Sequence, residues 1–465
     1  MMLDRLSETL MTPHALTRRA LLAAAACLLA ACASTPPAAP PPIVFVHGNG
    51  DSAALWSATL WRYESNGWPR ERLHAIDMPL PGARDDDTVA QAGRSSTAEH
   101  AQFLAAEVDA VLKRTGAQQV VLVGNSRGGN AIRNYIQNFG GAAKVSHAVL
   151  GGTPNHGVSA DPKGNLNAEF NGAGYFLQGL NAPKGPAGDE VTPGPRWLTI
   201  RSDNNDKFAQ LDGVWLGRPG TPTNVTFEGP ALKGATNLVL PGRDHREVSY
   251  HPEAFAATHE FITGRRPAQT MATPEDRPVL DGSVTGIGAG GANNLPLAGA
   301  SVQVYAVDPN TGARIGMVKH QRQIGADGRW GPFVADPRIF YEFVLAAPGY
   351  ATKHVYRSPF PRSSSVVQLR AERLAEADKS AASVVTFIRP RAYFGVPRDR
   401  IVVDGISPPP GVPLGVAGVA ASKVKPSPAM RTVVAEFESG VIRERLAGLA
   451  WPAAENHIVV LEMHD

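Results

Sequence analysis

One serine lies in a setting that suits nucleophilic catalysis. Residues 120–130 read VVLVGNSRGGN, so an apolar, strand-like stretch runs into a G-x-S-x-G pentapeptide around Ser126 and then into a helix-like segment. A sharp strand-to-helix turn holds such a serine in a strained backbone conformation, and only small residues such as Gly124 and Gly128 let the two elements approach closely. The start of the helix also directs its positive dipole end at the reacting centre. We therefore predict that Ser126 is a nucleophile rather than part of an ordinary Ser-Gly turn.

A serine hydroxyl reacts well only when a neighbouring base takes its proton and an acid orients that base. Two carboxylates, Asp203 and Asp206, follow the apolar stretch at 197–201. The ends of parallel strands deliver such residues to one edge of a sheet, where catalytic groups collect. Asp161 and Asp212 are more remote choices for the acid. Position alone leaves Asp203 and Asp206 both open.

The candidate for the base follows the next strand-like stretch. Thr236 to Leu240 leads into PGRDHRE at 241–247, and His245 lies in this glycine-containing loop. Another histidine, His251, stands directly before Pro252, and proline is common at the first position of a helix. We therefore predict His245 as the general base and interpret His251 as the residue that precedes a helix.

The negative charge that develops on a carbonyl oxygen during attack must be met by preorganised backbone N–H groups. One donor is expected from Arg127, the residue after the nucleophile. The second is expected from the loop after the first strand, where residues 44–50 read VFVHGNG. The alternative for that loop is a plain glycine-rich turn.

Taken together, these motifs resemble the bacterial lipase branch of the α/β-hydrolases over residues 43–264. The resemblance implies hydrolysis of lipid-like or other apolar carboxylic esters through an acyl-enzyme, without a metal or cofactor. It also implies Asp206 as the acid, because residues 205–210 (NDKFAQ) are similar to the corresponding run of small lipases. The match of the VFVHGNG loop to the His-Gly-x loop of lipases implies the backbone N–H of Asn49 as the second oxyanion donor.

The same resemblance bears on two further regions. Residues 152–157 (GTPNHG) are similar to a turn of lipases in which the histidine is structural, so His156 is not expected to be catalytic. Arg127 stands where Met, Gln or Leu is common after the lipase serine. Residues 155–195 are rich in Gly and Asn where an amphipathic lid would be expected.

The elements that must position these residues are predicted from apolar periodicity. Strand-like stretches alternate with helix-like ones through the first half of the chain, which is typical of a parallel sheet covered by helices. We predict an α/β-hydrolase sheet with helices on both faces over residues 43–264, followed by a polar linker over 265–279. The stretches behind this prediction are Ile43 to His47, Ala98 to Thr115, Val120 to Gly124, Gly128 to Phe139, Ala148 to Gly151 and Trp197 to Arg201.

The remaining residues alternate apolar and polar positions between turns rich in Gly, Pro and Asp, as antiparallel strands do. We predict a β-sandwich over 280–372 and a second β unit over 373–465. The first resembles transthyretin-like or carboxypeptidase-regulatory-like domains through LAGASV at 297–302 and DGRW at 327–330. Two β units after a hydrolase are similar to lipases whose C-terminal β domain binds lipid. Truncation after Thr263 is then expected to spare hydrolysis of short soluble esters.

The first residues are interpreted as an export signal. A Thr-Arg-Arg sequence at 17–19 precedes an apolar run at 20–31 that is too short to span a bilayer. The paired arginines resemble a twin-arginine signal, and LAAC at 29–32 resembles the lipobox of bacterial lipoproteins. We predict a signal peptide over 1–32, lipidation of Cys32 as a membrane anchor, a Pro/Ala linker over 33–42, and a location in the cell envelope. The alternative is cleavage without lipidation, which gives a secreted protein.

Composition narrows the remaining function classes. The net charge is +3 over 465 residues and Lys and Arg are scattered, which predicts no nucleic-acid partner. Cys27 and Cys32 are the only cysteines, so the rest of the chain forms no disulfide of its own. A polyester or an amide as the substrate of the same site, and a non-catalytic surface lipoprotein, remain as alternatives.

Overall fold

The computed structural model of the chain describes residues 39–464. The predicted signal peptide, its Cys32 and most of the 33–42 linker therefore lie outside the described residues. From Pro41 onward the described residues form one compact unit. No helix within 39–464 is long and apolar enough to cross a membrane.

The first part of the unit alternates strands with helices. Its strands are β1 Ile43–Val46, β2 Leu73–Ile76, β3 Gly82–Ala83, β4 Arg94–Ser95, β5 Val120–Asn125, β6 Val145–Gly151, β7 Arg196–Arg201 and β8 Thr236–Val239. Its helices are α1 Ser57–Ser65, α2 Thr97–Thr115, α3 Arg127–Asn138, α4 Tyr175–Asn181, α5 Glu247–Tyr250 and α6 Pro252–Thr263.

Six of these strands form one parallel sheet in the order β2-β1-β5-β6-β7-β8. Alternate residues of each strand point to opposite faces, so Val44 and Leu122 enter one apolar core while Phe45 and Val123 enter the other. Helices α2 and α3 cover the first core, and α1 and α6 cover the second. The predicted α/β-hydrolase sheet with helices on both faces is therefore confirmed.

Local sequence sets the ends of the helices that cover the sheet. Ser96 accepts a hydrogen bond from the amide of Glu99, and the Glu99 carboxylate accepts one from the amide of Ser96, which forms a capping box at the start of α2. Gly116 ends α2 in the left-handed region at φ 66°. Helix α6 begins with a proline and is capped after Thr263 by Gly264, which also has positive φ.

The rest of the unit is β structure. Its strands are β9 Val279–Leu280, β10 Val284–Gly288, β11 Gly291–Pro296, β12 Ser301–Val307, β13 His320–Gln323, β14 Phe333–Val334, β15 Phe340–Ala346, β16 Thr352–Arg357, β17 Leu369–Arg370, β18 Val385–Ile388, β19 Arg400–Val403, β20 Ala421–Val424, β21 Thr432–Ser439, β22 Ile442–Leu449 and β23 His457–Glu462. The predicted all-β region after the hydrolase sheet is confirmed as well.

One sheet joins the two stretches that were predicted as separate β units. A seven-stranded sheet has the order β13-β12-β15-β16-β23-β18-β20, and its centre pairs β16 with β23 and β23 with β18, both in parallel. Strands from before residue 372 form one half of this sheet and strands from after it form the other half, and the two halves join at the β16-β23 pair. The three-stranded sheet β19-β21-β22 packs a further apolar core against it.

The hydrolase part and the β region share apolar packing. Ala58 and Trp61 of α1 belong to the same buried core as Leu280 and Trp330 of the β region. The indole N–H of Trp61 donates to the Ser363 carbonyl at 3.0 Å. Because α1 contributes to both a hydrolase core and the β core, the two parts support each other.

Candidate active site

Ser126 lies at the turn between β5 and α3, at φ 53° and ψ −121°. Such positive φ is strained for a residue with a side chain. The close approach requires the flanking glycines: a Cβ on Gly128 would overlap the Val46 carbonyl oxygen, and one on Gly124 would lie 2.8 Å from the amide nitrogen of Gly129. The sharp turn expected from the motif is present, and Ser126 is only partly buried.

His245 and Asp206 form a hydrogen-bonded pair. The distance from His245 Nδ1 to Asp206 Oδ2 is 2.9 Å, and Asp206 Oδ1 accepts from the amide of Phe208 at 2.8 Å. An ionised carboxylate only accepts, so this contact places a proton on Nδ1 and leaves the Nε2 lone pair free. Nε2 is buried and has no hydrogen-bond partner among residues 39–464. The ring is therefore arranged to accept a proton.

Asp203, the alternative acid, has a different set of partners. Its Oδ2 accepts from the amide of Gly242 at 3.0 Å and its Oδ1 from the amide of Asn205 at 3.1 Å. These bonds shape the loops on which Asp206 and His245 stand. Asp161 and Asp212 accept from backbone amides two residues ahead in their own turns. The structure thus brings Asp206, and none of the alternatives, to the histidine.

Ser126 and His245 line the same cavity, which has a volume of about 170 Å³. Its walls are largely apolar and include Pro154, Val158, Phe170, Phe208, Leu216 and Tyr393, with Gly48, Asn49, Asp51, Asn125 and Arg246 completing them. A second cavity of about 360 Å³ adjoins it, shares His245 and Phe208, and reaches Asp206. The serine and the histidine therefore face a common space that a ligand can enter.

The loop after β1 packs directly against the serine. A Cβ on Gly48 would lie 3.1 Å from the Ser126 Cβ, so any larger residue there would press against the serine. The side chain of Asn49 accepts from the amide of Ala83 at 2.7 Å, and His47 Nε2 accepts from the amide of Met78 at 3.1 Å. The backbone amide of Asn49 donates to no other backbone group within 39–464. Asn49 itself lines the cavity that contains Ser126.

Arg127 contributes more than its backbone. Its guanidinium is fully buried and donates to Glu169 Oε2 at 2.8 Å, to the Pro81 carbonyl at 3.0 Å and to the Ser95 carbonyl at 2.8 Å. Burial raises the pKa of Glu169, and the positive charge of Arg127 partly offsets that effect. The arginine that departs from the usual lipase pattern therefore anchors two loops beneath the site.

The other two histidines singled out from the sequence have separate partners. His251 Nδ1 accepts from the amide of Glu253 at 3.3 Å at the start of α6, as predicted. His156 Nε2 lies 3.2 Å from both carboxylate oxygens of Glu190. In the described part of the chain, no group of three or more His, Cys, Asp or Glu side chains is arranged to hold a metal ion.

Sequence reasoning missed side chains that hold the His245 loop from within the hydrolase part. The side-chain Nδ2 of Asn125, the residue before the nucleophile, donates to the His245 carbonyl at 3.2 Å and to Ser249 Oγ at 2.8 Å. Gly152 has φ 57°, and a Cβ there would overlap the same carbonyl oxygen. Asn125 stands inside the G-x-S-x-G motif, so its position was a usable signal.

A second missed group comes from the β region. Tyr393 lines the cavity, and its ring lies 4.0 Å from Lys207 Nζ and 5.0 Å from the Arg246 guanidinium carbon. Lys207 Nζ also donates to the Gly418 carbonyl at 2.9 Å. Burial and the nearby charge of Arg246 lower the pKa of Lys207 to about 8. No spacing in the sequence links Tyr393 or Gly418 to the site.

Two family models match the chain. One, described as the alpha/beta hydrolase fold, matches residues 41–188, and the other, described as a lipase C-terminal domain, matches residues 279–374.

Several solved structures are also similar. A Bacillus licheniformis lipase in its mature form is 20% identical, with 50% of this chain and 95% of that chain covered and a TM-score of 0.34. Lipase B of Aspergillus fumigatus is 14% identical, with 51% and 56% covered and a TM-score of 0.34. A monoacylglycerol lipase of Paleococcus ferrophilus is 13% identical, with 48% and 96% covered and a TM-score of 0.32.

The assignment rests on the two family models together with the fold. The parallel sheet begins within the first match, and the β region begins where the second match begins. The chain therefore has an α/β-hydrolase fold followed by a region that matches a lipase C-terminal domain, and it is a carboxylic ester hydrolase.

Proposed function

We propose that this protein cleaves lipid-like or other apolar esters through an acyl-enzyme on Ser126. The observation that carries the proposal is a single cavity that holds the strained Ser126 turn beside a histidine whose Nδ1 is bonded to Asp206. This combination is what nucleophilic catalysis by serine requires.

Each group then has one task. Ser126 Oγ attacks the ester carbonyl carbon while His245 Nε2 takes its proton, and Asp206 stabilises the imidazolium that forms. The amides of Asn49 and Arg127 donate to the oxygen that becomes negative. When the tetrahedral intermediate collapses, His245 returns the proton to the leaving alcohol oxygen. Water activated by His245 then attacks the acyl-enzyme, releases the acid and restores Ser126.

The cavity walls favour apolar esters. Val158, Phe170 and Leu216 supply apolar surface beside Ser126, and the adjoining cavity of about 360 Å³ provides further room. Burying each methylene group contributes about 0.8 kcal/mol. We therefore expect kcat/KM to rise with acyl length until the cavity is filled.

The test is a series of p-nitrophenyl esters from acetate to palmitate, assayed on the wild type and on Ser126→Ala. Turnover should fall by about a millionfold in the variant, because the whole machinery acts through this hydroxyl. Covalent labelling by a fluorophosphonate should disappear with it. Labelling that persists in Ser126→Ala would place the nucleophile elsewhere, and a wild type that neither labels nor hydrolyses esters would refute the proposed function.

We also propose that the protein is exported and anchored through a lipid on Cys32. The support is the lipobox-like LAAC at 29–32 behind an apolar run. Cys32→Ser should move the protein from the membrane fraction to the soluble fraction, since attached lipid chains supply the anchor. Cys27→Ser, five positions earlier in the same run, is the matched control and should stay with membranes. A Cys32→Ser protein that still fractionates with membranes would contradict lipidation at this site.

A further inference from the structure

Two buried carboxylates flank the histidine in its loop. Asp244 precedes His245 and Glu247 follows it by two positions, and they are 0% and 1% exposed. Asp244 Oδ1 accepts from the amide of Glu247 at 3.0 Å, while Glu247 Oε2 accepts from the amide of Asp244 at 2.9 Å. This reciprocal pair closes the loop as a capping box does. Any force on these carboxylates therefore acts on the backbone of His245.

Their positive partners come from residues 389–399 of the β region. The buried Arg389 donates from Nη2 to Glu247 Oε1 at 2.7 Å. Arg398 donates from Nη1 to Glu247 Oε2 at 2.8 Å, and the same nitrogen lies 3.4 Å from Asp244 Oδ2. These partners are separated from Glu247 by 142 and 151 residues of sequence.

The backbone of Tyr393 ties the four charges together. Its amide donates to Asp244 Oδ2 at 2.8 Å, and its carbonyl accepts from Arg389 at 3.2 Å and from Arg398 at 2.6 Å. The ring of the same residue lines the cavity that contains Ser126. The network thus reaches from the β region to the wall of the active site.

Charge compensation makes this arrangement rigid. Burial by itself raises the pKa of Glu247, but Arg389 and Arg398 outweigh burial and hold the pKa at about 2. Burial, together with the charge of Glu247, raises the pKa of Asp244. A buried charge that loses its partner is strongly destabilised, and a guanidinium fork admits only a narrow range of geometries. The loop can therefore move only if several charged hydrogen bonds break.

We propose that Arg389 and Arg398 are positioning residues for the general base, and that they act through Glu247 and Asp244 to hold His245 in register with Ser126. The inference rests on the proposed function, since it takes His245 as the base. It makes the β region a part of the catalytic apparatus instead of an independent docking module. Because a displacement of about 1 Å in a catalytic group can cost about a hundredfold in rate, the effect is measurable.

The test uses Arg398→Gln in the full-length protein. The value of kcat per active site, counted by fluorophosphonate titration, should fall by about tenfold or more, while KM for p-nitrophenyl butyrate stays within about twofold. Arg398→Lys keeps the charge but loses the fork, so it should recover only part of the rate. Arg400→Gln is the matched control, since the Arg400 side chain is 60% exposed and its ion pair within residues 39–464 is with Glu436, at 3.5 Å. It should leave kcat unchanged.

A merely structural role would lower Tm and the yield of folded protein without changing kcat per titrated site. That result in Arg398→Gln would overturn the proposal. If Arg398→Gln does not fold, Arg398→Lys decides by the same criterion: an unchanged kcat per site overturns the proposal and a reduced one supports it. Failure of the proposed function is distinct, because the wild type itself would then be inactive and unlabelled.

Discussion

The nucleophile and the base of this site are held over different ranges of the chain. Ser126 takes its conformation from β5 and α3, its immediate neighbours in sequence, and its amide donates to the Gly151 carbonyl of the adjacent strand at 2.9 Å. The His245 loop is held by Asp206, 39 residues away, and by arginines 142 and 151 residues from Glu247. The turn at Ser126 can therefore form correctly even when the distant contacts that position His245 are missing.

Truncation after Thr263 removes the distant contacts of the His245 loop, so it should have the largest effect on activity. The sequence pattern predicts that short-ester hydrolysis survives, whereas the structure predicts its loss. Truncation removes Arg389 and Arg398, so Asp244 and Glu247 lose their positively charged partners, and it also removes the β core against which Trp61 packs. No measurable turnover of p-nitrophenyl acetate is expected, and circular dichroism should report how much fold remains. A folded truncation with near wild-type rates would show that the β region is an independent module.

Replacing the triad acid should have the next largest effect. Asp206→Asn is expected to lower kcat by about ten-thousandfold, because an amide that donates to Nδ1 imposes the wrong tautomer on His245. Asp203→Asn removes only a loop contact to the Gly242 amide and should cost about tenfold or less. Steady-state kinetics of the two variants on one ester make the comparison. Equal losses would remove the basis for preferring Asp206.

A glycine pair gives the smallest and most selective test. Gly152→Ala places a Cβ against the His245 carbonyl at φ 57°, so the loop must shift and kcat should fall by about tenfold to a hundredfold. Gly116→Ala introduces a Cβ at a similar φ of 66° with nothing within 4 Å. It should lower the free energy of unfolding by about 1 kcal/mol and leave kcat unchanged. Thermal unfolding and kcat measured together separate the two effects. Matching kcat values would mean that the loop tolerates displacement.

The sequence by itself determined the parallel sheet and the turn at Ser126. Both rest on local patterns: apolar residues that alternate between two cores, and glycines placed where a Cβ would collide with the neighbouring strand. It also pointed to His245 as the base, because the loop that carries this histidine directly follows β8. Position left Asp203 and Asp206 open, and only the resemblance to lipases favoured Asp206.

Only the tertiary structure decided which side chains surround the histidine. Asp203 accepts hydrogen bonds from the amides of Gly242 and Asn205. In this loop geometry it is Asp206 that faces His245. The sheet that continues across residue 372, and the arginines that reach the His245 loop, join segments far apart in the chain. These contacts leave no periodic pattern in the sequence. A buried carboxylate is stabilised by a positively charged partner, but the residues near it in sequence do not identify that partner.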